Sequence, residues 1–362
     1  MYFLIYIAWG FLGMQLFNVF LNLVFRQRIP KTTVKNTELI SVLIPARNEE
    51  STIGILLDAL HAINNEFLEI VVYNDDSTDR TLEIVQHYAQ RDTRVRMAHT
   101  QPLPEGWLGK NHACYRLAQE AKGRYLVFVD ADVKLCGNVV VDAVLYMKKY
   151  RLGLLSVFPK QIQRSIGEKF TVPIMNYILL TLLPLVFVRV SPFKSHSAAN
   201  GQFMVFDAEH YSNLQPHKKY KSSAVEDIHI ATYFKRSSVK TACLNGEDRI
   251  QCRMYTSYKH AVNGFSKNVF MFFGNSPILA FLFWICATFG FVPIWIFEPK
   301  LLFAYFFGVI LVQVLYSYSC KQNPFTAILF FPVQLIALFQ VLVLALIVKM
   351  NKNYTWKGRN IF

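Results

Sequence analysis

Four long stretches of this chain contain no charged residue: 2–25, 277–297, 301–318 and 324–348. A helix crossing roughly 30 Å of hydrocarbon needs about 20 predominantly apolar residues, so each stretch reads as a membrane span. Glu298-Pro299-Lys300 and Lys321-Gln322-Asn323 read as tight turns between the last three. Residues 2–25 lack the basic n-region and the small-residue cleavage site of a signal peptide, which makes them a retained anchor. A fifth apolar run, 170–190, also has the length of a span.

Between the first and second runs the pattern changes period. Glu38–Pro45 and Glu69–Tyr73 are β-branched apolar runs of strand length, as are Val95–Ala98 and Tyr125–Val129. They alternate with helical patterns: Ile53, Leu56, Leu57, Leu60 and Ile63 after a Ser51 cap, then Leu82, Val85 and Tyr88, then the segment around Ala113–Ala121. Strands alternating with helices predict an α/β fold with a parallel sheet wound in βαβ units. Such sheets bind ligands beyond the carboxyl ends of their strands, which here carry Ala46–Glu49, Asn74–Asp79 and Asp130-Ala131-Asp132.

Charge sharpens this division. Charged residues make up 17% of the 362, below the roughly 25% of soluble domains. All 38 Lys+Arg and 24 Asp+Glu fall outside the four uncharged runs, so the low average mixes an ordinary domain with a membrane anchor. Six cysteines without a C-x-x-C pair suggest neither a zinc site nor a disulfide framework and fit a reduced, cytoplasmic setting. The excess of +14 suits anionic lipid headgroups; no zinc knuckle, stacking signature or basic helix calls for nucleic acid. Arg26, Arg28 and Lys31 follow the first span directly, so the middle segment is expected on the cytoplasmic face of the cell membrane. Three further crossings would leave the tail, with Lys349, Lys352, Lys357 and Arg359, on the outer face, against the same rule. One resolution is that 324–348, interrupted by Pro332, dips in and returns.

Neither G-x-G-x-x-G nor G-x-x-x-x-G-K-[ST] occurs as a phosphate cradle, which leaves a metal as the candidate for handling phosphates. Asp130 and Asp132 offer two oxygen donors one residue apart, the kind of set from which Mg²⁺ or Mn²⁺ fills its shell with water and substrate phosphate. Asp75 or Asp76 at a second strand end suits a base or ribose, Lys110 a diphosphate, and Glu226-Asp227 follows in a later polar segment. His112, His196 and His229 lack metal-ligand spacing.

PARNEE (45–50), NDDSTDRT (74–81), GWLGKNHA (106–113), VDAD (129–132), AANGQFMVFD (198–207), VEDIHIA (225–231) and RMY (253–255) together resemble the motif series of family 2 glycosyltransferases with the GT-A fold. The resemblance is greatest to membrane-bound members that glycosylate carotenoids or accompany hopanoid genes. It covers about residues 38–275 and implies inverting transfer of a sugar from a nucleoside-diphosphate donor, a UDP-sugar, with Mg²⁺ or Mn²⁺. By the same resemblance Pro45, Ala46, Arg47 and Glu49 border the nucleotide. Asp75, with Asp76 beside it, meets the base; Asp132 binds the metal; Asp130 lies near the ribose or metal; and Asp227 is the catalytic base. Lys110 and Arg253 would stabilise the departing diphosphate, and Glu226, Trp107, Gly201 and Gln202 lie on the acceptor side.

The chain departs from that pattern in two places. Asn74-Asp75-Asp76 replaces an Asp-Asp-Gly order, and Gln251-Cys252-Arg253-Met254-Tyr255 replaces the Q-x-x-R-W of processive synthases, which favours a single transfer over polymerisation. The architecture expected is therefore an anchor at 1–25, a cytoplasmic GT-A domain at 38–275, a membrane bundle at 277–348 and a basic tail at 349–362. A crossing at 170–190 would put Asp132 and Asp227 on opposite faces, so that run is expected to be interfacial or re-entrant, delivering a lipid-like acceptor. A polyprenyl-phosphate sugar synthase or a cell-envelope polysaccharide glycosyltransferase is the nearest alternative. A transporter or scaffold would want ionisable residues inside the spans, and they have none.

Overall fold

The computed structural model describes residues 2–34, 36–351, 355–356 and 359–360, so half of the basic tail expected at 349–362, including Lys352 and Lys357, lies outside the described residues. The chain packs as two compact units. One is helical and collects residues up to Arg26, Gln161–Phe187 and the chain from Arg253 through the last long helix; the other holds Gln27–Lys160 and Val188–Cys252. The continuous domain expected at 38–275 is thus interrupted: 161–187 and 253–275 belong to the helical unit.

The second unit is built on an eight-stranded sheet. Its strands are β1 (Ile40–Ala46), β2 (Leu68–Asn74), β3 (Val95–Met97), β4 (Tyr125–Val129), β5 (Val133–Leu135), β6 (Leu154–Gln161), β7 (Phe203–Asp207) and β8 (Thr241–Cys252), in the order β3-β2-β1-β4-β7-β6-β8-β5. The parallel expectation holds for β3-β2-β1-β4 and fails beyond it: β7 runs antiparallel to β4 and β6, and β8 antiparallel to β5. The sheet is mixed because the later strands are not joined by simple βαβ crossovers.

Alternation along the strands explains how both faces are covered. Val42, Ile44, Ile70, Val72, Val127 and Val129 face a core closed by the helices Ile53–His61 and Val139–Tyr150. Leu43, Val71, Tyr73, Leu126, Phe128 and Phe206 face a second core with the helices Gly109–Glu120 and Glu226–Arg236. The helix after β1 starts at Ile53 with Thr52 at its N-cap and no side-chain capping bond, so Ser51 is not the cap.

In the helical unit, Tyr2–Val24, Leu302–Cys320 and Pro324–Asn351 are helices. Three helices are long and apolar enough to cross a membrane, or four if the bent pair Pro277–Phe289 and Phe291–Phe297 is one span. The span expected at 277–297 is a pair of helices whose two parts meet at 44°. Residues 324–351 form one helix running through Pro332, not an inward hairpin.

Residues 170–190 are broken into short pieces, chiefly the helix Pro173–Leu182. Ten residues rise only about 15 Å, too little to cross. This helix is buried along most of its length, covered by protein where an interfacial helix would keep one face in the headgroups. Gln15, Asn18 and Asn22 lie on one face of the first helix and hold it. Gln15 Nε2 donates to Tyr177 Oη at 2.7 Å, Asn18 Nδ2 to the Thr181 carbonyl at 2.7 Å, and Asn22 Nδ2 to the Leu180 and Leu183 carbonyls at 2.9 Å. Asn22 Oδ1 accepts from Leu185 N at 2.7 Å, just past the helix end. In an apolar phase such backbone groups need partners, and uncharged amides supply them.

Just before β4, Gly123 N donates to Ser41 Oγ at 2.8 Å. A Cβ there would lie 2.5 Å from Ser41 Oγ and 2.6 Å from Ser41 N, so backbone must move to admit it. Gly123→Ala is expected to lose about 1–3 kcal/mol in thermal or denaturant unfolding, whereas Gly13→Ala, with nothing within 4 Å, should change little.

Candidate active site

The carboxyl ends of β1 and β2 are stitched together by their own loops. Asp75 N donates to the Ala46 carbonyl at 2.8 Å, and Arg47 donates to the carbonyls of Asp75 at 2.6 Å and Asp76 at 3.2 Å. Arg47 also lies 3.5 Å from the exposed Asp76 carboxylate. Glu49 N donates to Thr81 Oγ1 at 2.8 Å, Glu50 N to Asp79 Oδ2 at 3.0 Å, and Thr78 N to Asn48 Oδ1 at 2.8 Å. PARNEE and NDDSTDRT are therefore one structural piece, in which Asn48, Glu50 and Asp79 hold the backbone that presents Glu49, Asp75 and Asp76. Burial pushes the Asp79 carboxyl up, but the hydrogen bonds from Thr81 and Glu50 outweigh it and leave its pKa lowered.

The D-x-D pair follows β4. Antiparallel register sets Phe203 opposite Val129, which brings the start of β7 beside it, and Asp130 N donates to the Gln202 carbonyl at 3.1 Å. One residue earlier, Gly201 N donates to Asp227 Oδ2 at 3.0 Å, while Ile228 N donates to Asp227 Oδ1 at 2.8 Å in the first turn of the helix Glu226–Arg236. Lys110, in the first turn of the helix Gly109–Glu120, lies 2.6 Å from Asp130 Oδ1 and 4.0 Å from Glu226 Oε1. A Cβ on Gly201 would sit 3.4 Å from Lys110 Nζ, 3.5 Å from Glu226 Oε1 and 3.7 Å from the Asp227 Cβ. Two helices and the loop after β4, far apart in sequence, thus meet beside the glycine that precedes β7.

Asp132 differs from Asp130. Its Oδ1 is out of solvent and has no hydrogen-bond partner among the described residues. Burial, reinforced by the carboxylates of Asp130 and Glu49, raises its pKa to about 6. Among the described residues no cluster of three His, Cys, Asp or Glu forms a ready metal cage. A buried, unpartnered carboxylate oxygen beside a second carboxylate nevertheless fits a hard divalent cation that takes its remaining ligands from phosphate and water.

Other predicted residues fall as follows. Pro45 and Ala46 end β1. Trp107 packs its ring 5.2 Å from Tyr115 and 5.6 Å from His112. Gln202 directs its side chain to Cys252. Arg253 belongs to the helical unit and makes a two-pronged pair with buried Glu168, at 2.7 and 3.3 Å. His229 is hydrogen-bonded to Ser223 at 2.9 Å and His196 to Ser191 at 2.7 Å.

Two contributors escaped the sequence reading. Asn111, buried beside Lys110, donates through Nδ2 to the carbonyls of Tyr220, Lys221 and Ser223 at 2.9, 3.2 and 2.9 Å. It ties the Lys110 helix to the loop that leads into Glu226 and Asp227. Its only signal was its place in GKNHA. Cys252, the other, lies in the QCRMY segment, where no spacing marks it.

Residues 41–208 match the model for glycosyl transferase family 2. It is 29% identical over 238 residues to the 4,4'-diaponeurosporenoate glycosyltransferase of Staphylococcus haemolyticus (strain JCSC1435), covering 65% of this chain and 62% of the relative. With the enzyme of the same name from Staphylococcus aureus (strain USA300), identity is 29% over 245 residues, covering 66% and 63%. The chain thus spans just under two thirds of the length of these relatives. Among solved structures, a mannosyltransferase from Pyrobaculum calidifontis, in complex with GDP-Man and Mn²⁺, superposes with a TM-score of 0.58 at 15% identity over 96% of each chain. That likeness establishes the GT-A architecture.

Replacing Asn111 by Leu removes a donor from three carbonyls, of which Tyr220 and Lys221 keep backbone donors from Ser223 N and Leu108 N. The expected cost is roughly 1–3 kcal/mol, with faster tryptic cleavage at Lys218, Lys219 and Lys221 as the readout.

Proposed function

We propose that the protein is a membrane-bound inverting glycosyltransferase that moves a sugar from a nucleoside-diphosphate donor to a lipid-like acceptor of the isoprenoid class. The observation carrying this is the convergence of Asp130, Lys110, Glu226 and Asp227 around Gly201 within a family 2 domain. The similarity to enzymes named for a carotenoid acid favours a carotenoid-like acceptor with a hydroxyl or carboxyl group, and a UDP-sugar is the donor we expect.

In this reading the loops after β1 and β2, with Pro45, Ala46, Arg47, Glu49, Asp75 and Asp76, hold the nucleoside. A bound Mg²⁺ or Mn²⁺ would be held by Asp132 and Asp130 and would neutralise charge on the diphosphate. The Lys110 ammonium adds a positive charge on the same side of the site. The acceptor oxygen attacks the anomeric carbon as its bond to the diphosphate breaks, and the nucleoside diphosphate leaves with the bonding pair. Asp227 takes the proton of a hydroxyl acceptor; backbone hydrogen bonds from Gly201 and Ile228 fix its orientation. An acceptor carboxylate arrives without that proton, and Asp227 then orients it. Trp107, Gly201 and Glu226 are assigned to the acceptor side; Gln202, expected there too, buries its side chain against Cys252.

Asp132→Ala is expected to remove Mn²⁺-dependent binding of UDP in calorimetry; unchanged metal dependence would refute that assignment. Asp227→Asn should keep UDP affinity within a few-fold of the parent while transfer to a hydroxyl lipid acceptor falls about 10²-fold or more. Loss of binding in this variant would indicate a structural role instead.

The contacts within the helical unit support a particular topology. Trp9 packs against Tyr305 at 5.6 Å, a Cβ on Gly308 would meet Leu12 Cδ2 at 2.9 Å, and Arg26 donates to the Tyr318 carbonyl at 3.1 Å. The first helix and Leu302–Cys320 therefore run in the same direction, which requires one crossing by the bent pair between them. The last helix stays on one side. Gln322 donates to the Gln161 carbonyl at 3.1 Å, Gln334 to the Lys169 carbonyl at 3.0 Å and Tyr258 to Gln340 at 2.6 Å, and Lys349 ends 3.2 Å from the Asn275 carbonyl. Its length of about 42 Å then runs along the cytoplasmic boundary, and Lys349 and the tail stay inside as the basic-residue rule prefers. A C-terminal green fluorescent protein fusion should fluoresce and an alkaline phosphatase fusion should be inactive; the reverse pair of results would mean that this helix crosses.

A further inference from the structure

We propose that Cys252 and Gln202 are positioning residues that fix the Asp132 carboxylate for a divalent cation, acting as a relay from the Gln202 amide through the Cys252 thiol to Asp132. The inference rests on the metal-assisted reading of the site given above.

The relay is created by strand register. Pairing of β5 with β8 sets Cys252 opposite Val133, the residue after Asp132, and pairing of β7 with β4 brings Gln202 beside Asp130. Both side chains are buried, Gln202 at 6% and Cys252 at 2% exposure. Gln202 Nε2 donates to Cys252 Sγ at 2.8 Å, and Cys252 Sγ donates to Asp132 Oδ2 at 3.5 Å.

A thiol has one proton and is a weak acceptor. An amide N–H aimed at the sulfur turns the S–H outward, and Asp132 Oδ2 lies in its reach. The two oxygens of Asp132 are thereby made unequal: Oδ2 is engaged, while Oδ1 is out of solvent with no partner among the described residues. Groups that hydrogen-bond one side of a ligating carboxylate orient the other, and losing them typically weakens metal binding about 10–100-fold. A buried cysteine acting only as a small apolar filler would affect stability and leave metal dependence alone.

The test uses the full-length protein in detergent, with UDP binding followed by calorimetry across a Mn²⁺ series and thermal unfolding measured without metal. Cys252→Ala is expected to raise the half-saturating Mn²⁺ concentration roughly 10–100-fold, and Cys252→Ser, which keeps an O–H donor, to return it to within a few-fold of the parent. An alanine variant with unchanged Mn²⁺ dependence, or a serine variant no better than alanine, overturns the relay. Should Cys252→Ala fail to fold, Gln202→Met carries the test, because it removes the amide donor at similar length. It should raise half-saturating Mn²⁺ several-fold without shifting the metal-free midpoint, and no change overturns the relay. If the parent protein itself shows no Mn²⁺-dependent UDP binding, the functional reading fails; if the parent is Mn²⁺-dependent and the variants match it, only the relay fails.

Discussion

Crowding of negative charge at the strand ends is the constraint around which the sheet unit is organised. Burial, reinforced by Asp130 and Glu49, lifts the Asp132 pKa to about 6, while Glu226 and Asp227 enter the same region on the first turn of one helix. Backbone donors, the Lys110 ammonium and the Cys252 thiol hold these groups. An ionised, partly desolvated carboxylate cluster is costly by itself. That cost is what a cation with a bound diphosphate would relieve, so the arrangement is poised for a ligand at some expense to the empty protein.

The supporting framework is correspondingly strong in backbone hydrogen bonds. The β1 and β2 loops bond to each other through Asn48, Glu50, Asp79 and Thr81, and Asn111 gathers three carbonyls of the loop before Glu226. Much of what reads as motif is therefore the means by which loops are held together to present Glu49, Asp75 and Asp76. In the helical unit amides do the equivalent work without charge: Gln15, Asn18 and Asn22 satisfy the broken end of a short buried helix. Carboxylates or ammonium groups there would carry a far larger desolvation penalty.

Period-2 and period-3.6 patterns made β1 to β4 and the helices between them legible, because those strands are buried on both faces and their apolar runs are continuous. β7 and β8 were not recognised as sheet partners: FMVFD looks like any short apolar run, and the twelve residues of β8 mix Asn, Gly, Glu, Asp and Arg with few apolar positions. The direction of their pairing depends on the long excursion into the helical unit, which no local pattern records. Apolar length predicted where helices could enter a membrane, yet 170–190, which breaks into short pieces, is as apolar as the long helices. What composition does not record is their partners: 170–190 is tied to Asn22 of the first helix, and 324–351 carries contacts to Lys169 and Asn275.

By itself the sequence determined the α/β fold class, the division between charged domain and apolar helices, and the identity of the carboxylates at the strand ends, because each is written in local period and residue type. Tertiary structure alone decided that β4 meets β7 antiparallel, that Gly201 stands among Lys110, Glu226 and Asp227, and that a cysteine read as incidental lies against Asp132. These are products of register between segments tens to more than a hundred residues apart. A one-residue slip there reverses every side chain while leaving the composition of each strand unchanged.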